Sequence, residues 1–139
     1  MNDVSTRYDL GYLTDAERLW IWRRRQLSRN GRTFGRAGPA MTQTEAAATI
    51  GVSYSSYRAI EAGLGARVLA AEVAAAAEPI EGLVPTQAEL CAAARRRSGE
   101  LLVDVYESLG VSRPWYLRLE READPRVVAF WEERGFRFP

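Results

Sequence analysis

Residues 42–63 read TQTEAAATIGVSYSSYRAIEAG, and two helix signatures meet in them at Gly51. Thr42 followed three residues later by Glu45 is a capping box, which opens a helix running to about Ile50. Gly51 stops it. Ser53 has the side chain of an N-cap, and a second helix follows to about Ala62, just before Gly63. Two short helices joined this tightly need a small residue where they cross, a turn residue that accepts a left-handed backbone, and apolar side chains in the wedge. Ala47, Gly51 and the set Ile50, Val52, Tyr57 and Ile60 meet those needs. The other face of the second helix is polar, with Ser53, Tyr54, Ser55, Ser56 and Arg58. A helix of this kind can lie in a major groove with its first side chains toward base edges.

With Met41 in front, the stretch resembles the helix-turn-helix of the phage lambda repressor and Cro (XRE) family. The shared pattern is an apolar residue, Thr-Gln, an alanine, aliphatic-Gly-Val-Ser, and Ile-Glu-x-Gly after the second helix. The resemblance covers about 23 residues, and the loop before them is longer than the family's. It implies a sequence-specific regulator whose partner is double-stranded DNA. Carried over, Gln43 and Ser53 are phosphate or cap positions, and Tyr54, Ser55 and Arg58 are base readers, with Ala59 a weaker one. It also implies a phage or mobile-element type of repressor or activator.

Outward from this motif, the chain of 139 residues suits one ordinary domain or two very small ones. Every basic residue is an arginine. The net charge of +1 conceals an asymmetry: residues 16–70 hold nine arginines against three glutamates, while the stretch from residue 79 onward is near balance. A polyanion would meet the first half. Thr14 and Glu17 form another capping box, which predicts a helix over about 14–28. RNGRTFGRAGPA (29–40) reads as a loop, and its Arg32 and Arg36 are candidates for phosphate or minor-groove contact. An alanine-rich helix is expected over 66–77. EPIEGLVP (78–85) reads as the boundary between units 1–78 and 79–139. Thr86 and Glu89 form the same capping box and open another helix, and helices at about 99–109, 112–122 and 125–134 complete an all-α chain, with no alternating strand pattern.

The sequence also repeats itself. TDAERLWIWRRR (14–25) aligns with TQAELCAAARRR (86–97), and GVSYSSYRAIE (51–61) with GVSRPWYLRLE (110–120). The order is the same, and one longer loop in the first unit accounts for the different spacing. The chain therefore reads as two tandem helix-turn-helix units, the second divergent. Leu102 stands where the first unit has Gln43, and Tyr106 where it has the small Ala47, a ring expected to pry the helices apart. Arg113 is placed to read guanine. Pro114 suits a first helical turn. The second half is rich in aromatic residues and less basic. It reads a second half-site, or else scaffolds, dimerises or binds a partner.

An enzyme is not expected, because the chain lacks histidine, a glycine-rich phosphate loop and a cysteine cluster. No metal or other cofactor is implied. The lone Cys91 reads as a small core residue. MNDVSTRYDLGYL has no basic region followed by an apolar stretch, and VLAAEVAAAAE (68–78) is too short for a bilayer, so a cytoplasmic protein is expected. The alternative to a DNA-binding regulator, acting alone or as a homodimer, is an interaction adaptor whose helix-turn-helix scaffold binds an RNA polymerase subunit or another regulator.

Overall fold

The computed structural model of the chain describes residues 4–26 and 40–139. Among these residues there are nine α-helices and no strand, and Asp9 and Arg137 form an isolated bridge. The fold is all-α. No helix among them is long and apolar enough to cross a membrane.

Two compact units divide the chain, one spanning Leu13–Val84 and the other combining the residues before Leu13 with Pro85–Pro139. The boundary falls between Val84 and Pro85, inside the segment 78–85 that the sequence marks and six residues beyond the expected cut at 78/79. Ile80 and Leu83, before it, are buried and belong with the first unit. The residues before Leu13 belong with the second unit rather than the first.

The first unit contains α2 (Asp15–Arg25), α3 (Gln43–Ile50), α4 (Tyr54–Glu61) and α5 (Ala70–Ala77). Thr14 and Thr42 both cap through a full capping box, with the glutamate side chain returning to the cap backbone. The α2 helix stops at Arg25, short of the expected end at 28, because Gln26 turns extended. Gly51 ends α3 in the left-handed region, at φ 89°. The helix expected over 66–77 is split: Gly65–Arg67 form one 3-10 turn, Val68 is extended, and α5 begins at Ala70. Leu69 caps α5 without a side-chain hydrogen bond. The core is built from Leu19, Ile21, Met41, Ala46, Ala47, Tyr57 and Ile60, with Ala76, Ile80 and Leu83.

The second unit comprises α1 (Val4–Tyr8), α6 (Gln87–Ser98), α7 (Leu102–Ser108), α8 (Arg113–Arg121) and α9 (Pro125–Glu133). Leu90 to Ala94 are five consecutive buried residues, so α6 is covered all round and is the central helix. Its small side chains let neighbours approach. The aromatic residues of this half are mostly core: Trp131, Tyr116, Phe130 and Phe136 are buried, and Trp131 meets Phe130 and Phe136 edge-on at 4.8 and 5.9 Å. Of the tryptophan and phenylalanine rings here, Trp115 is the one that stands out in solvent, 42% exposed.

The arginine triplets are not simply solvated charge. Arg97 donates to the carbonyls of Thr6, Arg7, Asp9 and Tyr12, and so ties the N-terminal segment to the end of α6. Leu10, in that segment, is buried, and its N–H donates to the Arg137 carbonyl at 2.9 Å. In the first triplet, Arg24 lies 4.5 Å from the Trp20 ring and Arg25 donates to the Val84 carbonyl at 2.7 Å.

Candidate functional site

The α3–α4 corner closes on one carbonyl. The backbone N–H groups of Gly51 and Val52 both donate to the Ala47 carbonyl, at 2.8 and 3.0 Å. Gly51 takes the left-handed geometry at no Cβ cost. Ser53 then starts α4 as an N-cap, accepting from the Ser56 N–H at 3.1 Å. The inward face of α4 is Tyr57, Ile60 and Glu61, all buried.

Glu61 locks that face. Its carboxylate accepts two bonds from the Arg23 guanidinium, from Nε at 2.9 Å and from Nη2 at 2.8 Å. Arg23 also donates through Nη1 to the Met41 carbonyl, at 3.1 Å. Burial alone would raise the Glu61 carboxyl, but Arg23, Tyr57 and Gln43 outweigh it and hold it below the ordinary carboxylate range. Tyr57 is pushed well above the ordinary phenol range, first by burial and then by Glu61. Bidentate pairing of this kind fixes orientation as well as distance. One arginine therefore joins α2, the start of α3 and the end of α4.

The second unit repeats the Arg–Glu pair and adds a tyrosine hydroxyl bonded to the carboxylate, whereas the Tyr57 hydroxyl of the first has no hydrogen-bond partner among the described residues. Arg95 and Glu120, at the aligned positions, pair at 2.9 and 3.1 Å, and Tyr116 donates to Glu120 at 2.7 Å. Gly110 takes φ 69°, and the Val111 N–H donates to the Tyr106 carbonyl at 3.1 Å, as Val52 does to Ala47. Tyr106 was expected to pry the helices apart, yet this turn is closed. The ring is only half-buried, and Val105 fills the core beside it.

The outward face of α4 presents three of the residues singled out from the sequence. Tyr54, Ser55 and Arg58 are exposed, and Arg58 lies 5.5 Å from the Tyr54 ring centroid, one helical turn away. Ala59 is half-buried behind them. Ser53 is occupied as a cap. Gln43 is half-buried at the first position of α3, where its Nε2 donates to Glu61 at 3.1 Å. A contact from Gln43 to a phosphate would use the second amide hydrogen. Arg113 is exposed at the first position of α8, in the other unit, with Ser112 as its cap. Arg32 and Arg36 lie outside the described residues.

Sequence reading missed two side chains. Glu72 of α5 accepts from the Ser56 hydroxyl at 3.0 Å and from the Ser53 N–H at 3.5 Å, beside the start of α4. Only the packing of α5 against α4 reveals it. Trp115 carries Arg118 at 5.3 Å from its ring on the outward face of α8. The sequence marked it only as one of the aromatic residues that make this half a candidate for scaffolding or partner binding, without separating it from the rings that are buried.

Compared with protein-family models, curated proteins and solved structures, the chain gives no match.

Proposed function

We propose that the chain is a sequence-specific DNA-binding transcriptional regulator that lays α4 in the major groove of double-stranded DNA. The observation that carries this reading is the division of α4 into two faces. Glu61 and Tyr57 hold one face against α2, and Tyr54, Ser55 and Arg58 are left together on the other. A reading helix needs such a rigid mount, because base-edge hydrogen bonds are lost when side chains are displaced by an ångström. The resemblance of residues 41–63 to the lambda repressor and Cro family supports the same reading. The paired Arg–Glu–Tyr groups support a tandem duplication, with Arg113 on α8 as the second unit's candidate for reading a guanine. Two units in one chain would suit two half-sites. A homodimer would suit a palindrome.

Arg58→Ala and Tyr54→Ala test the assignment. Each is expected to relax preference at particular base positions at a cost of roughly 1–3 kcal/mol. Unchanged affinity and preference in both variants would remove α4 as the reading element.

One observation favours an adaptor role for the second unit instead. Leu101, Val103 and Trp115 leave apolar surface in solvent. Retention of full DNA affinity and preference by Arg113→Ala, with loss of a bound regulator on Trp115→Ala, would assign this unit to a protein partner.

A further inference from the structure

The start of α4 already holds a negative charge, and it is the protein's own. Ser53 Oγ lies 2.8 Å from Ser56 Oγ and donates to it, and Ser56 Oγ donates to Glu72 Oε1 at 3.0 Å. The Ser53 N–H points to Glu72 Oε2 at 3.5 Å. Two hydroxyls are thus aligned toward one carboxylate, and Glu72 is half-buried between α5 and α4. Glu72 also sits in the first turn of α5, whose cap Leu69 offers no side-chain bond. One charge therefore faces two helix N-termini. The first turn of a helix favours an anion. On a helix entering a groove, a backbone phosphate is the anion that would come there.

We infer that Glu72 limits the sequence-independent part of the affinity of the α4 surface: it occupies the helix start in place of a DNA phosphate and so weakens binding to all duplex alike. The inference rests on the reading of α4 as a DNA-binding helix. Phosphate contacts position a protein without carrying sequence information, whereas base contacts specify. Removing one phosphate contact weakens binding to every sequence equally and leaves the contribution of Tyr54, Ser55 and Arg58 intact. The margin between a preferred site and random DNA then depends on the outward side chains. The hydroxyl chain holds the carboxylate in place. The second unit cannot build this relay, since Trp115 stands at the position aligned with Ser56.

The test compares the full chain with Glu72→Gln and Glu72→Asp on random-sequence duplex across a salt series, with circular dichroism to check folding. Glu72→Gln keeps the shape and the acceptor oxygen but loses the charge. It is expected to bind random duplex severalfold more tightly and to steepen the logarithmic salt slope by about 0.9, the value of one added phosphate contact. Glu72→Asp keeps the charge on a shorter stem and should fall between the two. A purely structural Glu72 predicts the opposite sign, with a weakened fold and weaker binding. If the unaltered chain binds and both variants bind equally or less tightly with the same slope, the inference is overturned. If none of the three binds any duplex at low salt, the DNA reading itself fails, and the inference falls with it.

Discussion

Glu61 and Glu120 are buried carboxylates, and each has a bidentate arginine partner. A charge removed from water needs such a partner, and removing one member strands the other. Glu61→Gln is therefore expected to lower the unfolding free energy by about 3 kcal/mol, because Arg23 would keep its charge without the carboxylate. Chemical denaturation measures this directly. A loss below about 1 kcal/mol would mean that the pair behaves like an exposed ion pair. Arg23 and Arg95 were visible in the sequence as members of triplets, but which arginine turns inward was not. The triplets occupy consecutive helical positions about 100° apart, so only packing decides which one meets the glutamate. Glu61 itself was legible as an anchor of the motif, though its arginine partner was not.

The helix starts were the most legible elements, because a cap is a local hydrogen bond between residues three apart. Thr14, Thr42 and Thr86 all form the capping boxes their spacing predicted. Helix ends and tertiary attachments were less legible. The split of the helix expected over 66–77 and the burial of Ile80 and Leu83 depend on contacts that no local pattern encodes. For the same reason Glu72 went unnoticed: in a helix expected over 66–77 it falls mid-helix, whereas it stands in the first turn of α5. The two corner motifs also end differently. At the end of α4, Gly63 takes φ 85°, whereas after α8 Ala123 takes φ 50°. A left-handed conformation costs a residue with a Cβ roughly 1–2 kcal/mol. Ala123→Gly is thus expected to stabilise the protein by about 1 kcal/mol, and Gly51→Ala to destabilise it by a similar amount. No atom lies within 4 Å of a Cβ placed on Gly51, so that cost is conformational rather than steric. Paired thermal denaturation of the two variants checks both signs.

At the scale of the whole molecule, the buried Arg–Glu–Tyr groups set the pH range of stability. Glu61 binds its proton less readily folded than unfolded, where its ordinary value is 4.5. Its contribution is complete above that value and is lost as pH falls through the lower folded-state value. Tyr57 and Tyr116 are raised in the fold from an ordinary 10.0, chiefly by burial and then by their glutamates. Their contribution is complete below pH 10 and declines as pH rises beyond it. Denaturation midpoints should therefore fall at both extremes, and tyrosinate absorbance should show two of the six tyrosines titrating only with unfolding. Titration of all six near pH 10 in the folded protein would contradict the burial of these rings. The proposed DNA reading is checked by titrating salt against binding to random-sequence duplex and then selecting preferred sequences from that pool. Salt-dependent binding is expected, with an enriched motif whose base preferences relax in Tyr54→Ala and Arg58→Ala. No binding at low salt, or binding with no enriched motif, would contradict it.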